Sequence, residues 1–376
     1  MHNAMKVPYL SLAPIHSRLR DALHRAFTDV YDSGHYILGT WVARFEQQYA
    51  AFCGTGHCVG TSNGLDALYL CLDVLGVGAG DEVIVPSNTY IATVLAVLHK
   101  GASPVLVEPD VRTYNIDPGK IGDAMTSRTK VILPVHLYGQ ACEMDRIMAL
   151  AAGRGVFVVE DNAQAQGAAF LEKPTGSWGA VNATSFYPTK NLGALGDAGA
   201  VTTDDAVLGA RVAALRNYGS IHKNYNEYIG HNMRLDELQA AFLTIKLEYL
   251  REWTGERRAI AARYTAGLEN TGDIVLPHLA TGASHVYHIF QVRTASRNAL
   301  RDYLEERGVE TAIHYPVPPH LQKACAALGF KRGDFPLAET LADTCLSLPV
   351  WPGMREIETD MVISVIKDFF NQKRHV

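Results

Sequence analysis

Short apolar runs alternate with helix-like segments through the first half of this chain, and that alternation constrains the fold more than any other feature. The runs occupy residues 82–85, 104–108, 130–136, 156–160, 183–187 and 199–202. Helical patterns separate several of them, as at 89–98 and 143–152. Further upstream, 15–32 carries Leu19, Leu23, Phe27 and Val30 at helical spacing and is stopped by Ser33-Gly34, and 64–74 reads as a helix opened by Ser62-Asn63-Gly64. Such βα alternation predicts an α/β fold with a mostly parallel sheet covered on both faces. Ligands of these sheets bind beyond the carboxyl ends of the strands.

A helical stretch from Leu235 through Leu247 to about Tyr264 then leads into a different pattern. Residues 286–293 and 309–315 read as strands, 297–307 and 357–370 as helices, which suggests a smaller α+β domain. The expected division is a large domain at 1–248 and a small one at 249–376. With 376 residues, 48% of them hydrophobic, the chain can build cores of that size. A net charge of −5 without a long basic run argues against nucleic acid as a partner. No run of 18 apolar residues predicts a membrane span, and residues 1–15 lack the charged-then-apolar pattern of a signal peptide. The six cysteines are scattered and form no CxxC pair, as expected of free thiols in a reducing cytoplasm.

Two of the predicted strand ends carry chemistry. The run 183–187 leads to Lys190 and then a glycine-rich turn, while 156–160 ends beside Asp161. A lysine amine can condense with the aldehyde of pyridoxal 5'-phosphate (PLP), and an ionised aspartate keeps that cofactor's ring nitrogen protonated. Each residue alone has an ordinary reading: a solvated surface lysine, or an aspartate in a turn. Asn63-Gly64, at a helix start, could bind phosphate or serve only as an N-cap. Gln164 could bond the ring's 3-hydroxyl oxygen or face solvent. Tyr90 could stack on the ring or pack in the core. Ser185 could hold the phosphate or sit half-buried in a strand. The loop 217–232, with Tyr218, His222, Tyr225, Tyr228 and His231, is too polar for a core and too aromatic for a plain linker.

Taken together, Asn63-Gly64, Glu160-Asp161-Asn162-Ala163-Gln164, Ser185 through Gly193 (SFYPTKNLG) and Gly230 through Glu237 (GHNMRLDE) resemble the DegT-type nucleotide-sugar aminotransferases. The resemblance implies the PLP-dependent type I fold, like that of aspartate aminotransferase, and a homodimer with shared active sites. It implies Lys190 as the cofactor-linked lysine, Asp161 at the ring nitrogen and Gln164 at the 3-hydroxyl. Ser185 and the Asn63-Gly64 backbone would hold the phosphate, and Asn232 would reach the phosphate of the neighbouring subunit. Relatives with histidine in place of the lysine remove a hydroxyl; Lys190 implies transamination. Asn162, Gln166 and Leu65 depart from residues common at those positions. Asn63 through Leu68, Leu192 through Gly199 and Ile313 through Gln322 look like the subgroup acting at C-3 of dTDP-3-keto-6-deoxyhexoses. That subgroup implies a sugar pocket of Tyr187, His314 and Tyr315, with L-glutamate as amino donor and pyridoxamine phosphate as the intermediate cofactor form. The alternatives are a C-4 aminotransferase and a non-catalytic PLP-binding regulatory protein.

Overall fold

A computed structural model describes residues 5–373. The extreme ends of the two expected domains, residues 1–4 and 374–376, lie outside the described residues, as does the start of the segment searched for a signal peptide. No described helix is long and apolar enough to cross a membrane.

Seven strands form the main sheet: β1 (His57–Thr61), β2 (Glu82–Pro86), β3 (Ser103–Val107), β4 (Thr129–Ile132), β5 (Phe157–Asp161), β6 (Val181–Ser185) and β7 (Gly199–Thr203). Their order is β1-β7-β6-β5-β4-β2-β3. The pairs from β6 through β3 are parallel, whereas β7 runs antiparallel to both β6 and β1. The mostly parallel sheet predicted from the alternation is therefore present. Successive residues point to opposite faces. On one face Val83, Val85, Val131, Val159 and Val201 join a core with Leu68 and Leu72 of the Gly64–Val74 helix and Val94 and Val97 of the Ile91–His99 helix. Their neighbours Ile84, Ile132 and Val158 pack on the other face with Met144 and Ile147 of the Met144–Ala152 helix. Near β1 and β7, that second face is closed by Phe45 and Tyr49 of the Thr40–Cys53 helix and Leu243 of the Glu237–Leu247 helix.

A separate core surrounds β8 (Phe290–Arg293) paired antiparallel with β9 (Cys345–Leu348). The helices Leu250–Leu268, Arg297–Glu306 and Glu356–Lys373 supply Tyr264, Leu300, Leu304, Val362 and Ile366 to it. Val7 packs there too, bridged to Val309, so the start of the described chain joins the C-terminal core. Glu108, just beyond β3, accepts from the Leu337 and Ala338 N–H groups at 2.7 and 3.0 Å, capping the Pro336–Thr344 helix from the main sheet.

Three sequence expectations need correction. The predicted 309–315 strand is reduced to isolated bridges at Val309 and Ala312. Beyond them the chain meets Pro316, Pro318 and Pro319, which have no N–H to continue a ladder. The 286–293 strand begins only at Phe290, because Val286 bonds instead to Gly139 and Asn191. The long helix after Leu235 is two helices, interrupted at Glu248 and Tyr249.

Candidate active site

The register of the sheet brings four strand ends to one edge. Asp161 pairs with Ala183 across β5 and β6. Ser185 and Thr61 both pair with Gly199, because β7 runs against its neighbours and starts where they end. Beyond Thr61, Asn63 caps the Gly64–Val74 helix by accepting from the Asp66 N–H at 2.8 Å. The N–H groups of Gly64 and Leu65, in the first turn, have no intrahelical acceptor. A Cβ on Gly64 would lie 2.6 Å from the Ser185 Cβ, so glycine is what lets this helix start reach Ser185.

Asp161 is buried, and burial raises its pKa above the ordinary aspartate value. Opposing that, the Thr93 hydroxyl donates to Oδ2 at 2.8 Å, the Ala163 N–H donates to Oδ1 at 3.1 Å, and Lys190 attracts the carboxylate. Burial lowers the Lys190 ammonium to about 8, with Asp161 pulling the other way. Lys190 sits in a turn closed by its own N–H to the Tyr187 carbonyl, at 2.8 Å. The buried Lys246 Nζ holds the end of that turn by donating to the Gly193 carbonyl at 2.7 Å.

A cavity of about 500 Å³ opens between these groups. Every sequence-predicted site residue except Asn232 lines it: Asn63, Gly64, Tyr90, Asp161, Gln164, Ser185, Tyr187, Lys190, His314 and Tyr315. Gln164 is held on both ends, accepting from the Tyr138 N–H at 2.6 Å and donating to the Tyr315 hydroxyl at 3.0 Å. Tyr90 lies against Tyr315, ring centres 5.1 Å apart, and remains half exposed rather than entering the core. Burial, followed by Lys190, lowers the His314 pKa to about 4, which keeps the ring neutral. Asn232 lines a neighbouring cavity of about 520 Å³ with Ile37 and Arg234; Asp197 borders both cavities.

Some partners escaped the sequence reading. Thr93 follows Thr89 by one helical turn, and the two hydroxyls bond at 2.9 Å, a spacing that could have suggested a relay toward a carboxylate. His288, kept neutral by burial and by the positive charge of Lys190, also lines the cavity and bonds Asn191 at 3.2 Å; no local pattern marks it. Glu160 does not face the cavity. Its carboxylate accepts from the N–H groups of Gly176 and Trp178 on the opposite side of the sheet.

An amine of lowered basicity, a buried carboxylate, and free helix-start amides beside a serine fit a small aromatic phosphate bearing an aldehyde and a ring nitrogen. Fold and site together define a PLP-dependent aminotransferase of the type I, aspartate-aminotransferase-like class. Residues 18–367 match the DegT/DnrJ/EryC1/StrS aminotransferase family, and the chain belongs to that family. It is 48% identical to dTDP-3-amino-3,6-dideoxy-alpha-D-galactopyranose transaminase of Aneurinibacillus thermoaerophilus, over 96% of this chain and 99% of that protein. It is 46% identical to dTDP-3-amino-3,4,6-trideoxy-alpha-D-glucose transaminase of Streptomyces venezuelae, over 97% and 96% of the two chains. The crystal structure of NtdA from Bacillus subtilis with bound cofactor PMP is similar with a TM-score of 0.92 at 32% identity, covering 99% of this chain and 87% of that one.

Proposed function

We propose that this aminotransferase moves an amino group from L-glutamate to the C-3 keto carbon of a dTDP-3-keto-6-deoxyhexose, giving a dTDP-3-amino-3,6-dideoxyhexose. The observation that carries the reading is that Tyr187, His314 and Tyr315 share one cavity with Lys190 and Asp161. The names of the two transaminases above support the dTDP-linked 3-amino product.

When bound, PLP supplies an aldehyde that takes up the amino group and a ring that accepts electrons from the substrate carbon. Lys190 would hold the cofactor through its amine and, as a free amine, would accept and return a proton at the substrate carbon. A lysine pushed down to about 8 suits this task, since it both accepts and returns a proton near neutral pH. Asp161 would pair with the ring nitrogen, Gln164 would bond the 3-hydroxyl oxygen, and Tyr90 would stack on the ring. Ser185 and the Asn63-Gly64 backbone would hold the phosphate. Asn232, which borders the adjoining cavity, serves the phosphate site of a second copy in a homodimer. His314, Tyr315 and Tyr187 hydrogen-bond the sugar. A division near residue 248 separates the sheet that carries the cofactor groups from the smaller unit that carries His314 and Tyr315.

The test is direct. The holoenzyme is incubated with glutamate and, separately, 3-keto and 4-keto dTDP-6-deoxyhexoses, and the products are identified by mass and NMR. A 3-amino product from the 3-keto sugar is expected. A 4-amino product alone would replace the C-3 assignment, and no turnover by PLP-loaded protein would favour a regulatory role.

A further inference from the structure

Gln291 and Ser347 are register partners across β8 and β9, and they are 1% and 0% exposed. The hydrogen bonds around them assign their hydrogens a direction. Gln291 Nε2 donates to the Val292 carbonyl at 3.3 Å; turning the amide over would set its oxygen against that carbonyl. Gln291 Oε1 therefore accepts from the Ser347 hydroxyl, at 2.7 Å. A serine hydroxyl has one proton to give. With that proton directed to Gln291, Ser347 Oγ meets His314 Nδ1, 2.8 Å away, only as an acceptor. Nδ1 then carries the ring proton, and in a neutral imidazole Nε2 is left with a lone pair. The same serine fixes the main chain leading to the ring. Its N–H donates to the Ala312 carbonyl at 2.8 Å, and its carbonyl accepts from the Ala312 N–H at 3.2 Å.

We propose that Gln291 and Ser347 are positioning residues that lock His314 in its Nδ1-protonated form, and that the bare Nε2 of this cavity-lining ring recognises a hydrogen-bond donor: a sugar hydroxyl rather than a carbonyl or phosphate oxygen. This deepens the reading of His314 as a sugar contact and rests on it. A histidine free to choose its tautomer would accept from a hydroxyl or donate to an oxygen with equal ease. The buried serine–glutamine pair removes that choice before substrate arrives, so the ring discriminates by polarity as well as by shape.

The experiment is long-range ¹H–¹⁵N NMR of holoenzyme labelled with ¹⁵N-histidine, the His314 signals being identified by their loss in His314→Ala. Wild-type protein should show a protonated Nδ1 and a pyridine-like Nε2. Ser347→Ala should shift the ring toward the Nε2-protonated form, and Ser347→Thr, which keeps the hydroxyl, should restore the wild-type pattern. An Nε2-protonated ring in the wild type overturns the proposal, and this spectrum decides even if Ser347→Ala fails to fold. A ring unchanged by Ser347→Ala overturns the positioning role. If the Nδ1 proton is found but His314→Ala slows the glutamate and keto-sugar half-reactions equally, the tautomer assignment stands and the sugar contact falls.

Discussion

Lys190 owes its properties to its partly buried position. Desolvation disfavours its ammonium and brings its pKa down to about 8, while the Asp161 carboxylate resists the change. For a base, a lowered pKa means that the neutral, proton-accepting form gains population as pH rises through that value. In enzyme preloaded with pyridoxamine phosphate, where the lysine amine is free, the keto-sugar half-reaction should therefore quicken between pH 6.5 and about 8 and then level off. Stopped-flow spectra across that range check this; a rate still climbing steeply toward 10 would show that Lys190 keeps an ordinary lysine pKa. Lys190 and Asp161 were legible in the sequence because each follows a strand-like apolar run, and parallel strands end on a common edge. Thr93, His288, Gln291 and Ser347 were not. They arrive from a helix, a crossing segment and two strands of another core, and nothing in their immediate sequence marks them as partners of a distant ring or carboxylate.

Elements were legible where burial on both faces makes a strand continuously apolar, as in β2 with its Val83-Ile84-Val85 centre. β1 was harder to see, because His57 and Gly60 interrupt its pattern although Cys58 and Val59 are buried. The Thr40–Cys53 helix likewise starts without a side-chain cap of its own. Its cap comes from far along the chain: the buried Glu237 carboxylate accepts from the N–H groups of Gly39, Trp41 and Val42 at 2.8, 3.0 and 2.8 Å. A carboxylate at a helix N-terminus is favoured by both hydrogen bonding and the helix dipole. Glu237→Ala leaves those partly buried donors without their carboxylate and should destabilise the protein by on the order of 1–3 kcal/mol, read as an earlier denaturation midpoint. Glu237→Gln should recover part of that loss. An unchanged midpoint for the alanine variant would mean that water caps the helix equally well.

At the scale of the whole molecule, two cores meet around one cavity. The main sheet contributes Asp161, Ser185 and Lys190, and the chain running beside β9 contributes His314 and Tyr315. The hairpin around Tyr225, which reads in the sequence as a loop of odd composition, leaves Tyr218, Ile221, Tyr225 and Ile229 exposed. Asn232 follows it and opens into the neighbouring cavity. In the proposed homodimer, Asn232→Ala should weaken PLP binding while leaving the circular dichroism spectrum intact, as titration of the apoenzyme with PLP will measure. Sedimentation at assay concentration should give a dimer or larger species. An active monomer would remove the shared site.

The strand of the main sheet that runs against its neighbours has a mechanical consequence. Because β7 is antiparallel to β6, the segment bearing Lys190 leaves the sheet at Ser185 and re-enters it at Gly199, two residues paired side by side. It is an arch with adjacent footings. It is cross-braced by the Phe186 N–H to the Ala198 carbonyl at 2.7 Å and the Ala194 N–H to the Phe186 carbonyl at 2.8 Å. Outside struts come from Lys246 to the Gly193 carbonyl and from the Leu195 N–H to Gln239 Oε1. Such a frame cannot swing on a hinge. When the amine is made and released, the travel has to come from rotation about the lysine's own carbon–carbon bonds. Amide hydrogen exchange should then show residues 186–198 equally protected in the PLP and pyridoxamine phosphate forms, and a marked loosening in either would mean that the arch itself moves with each turnover.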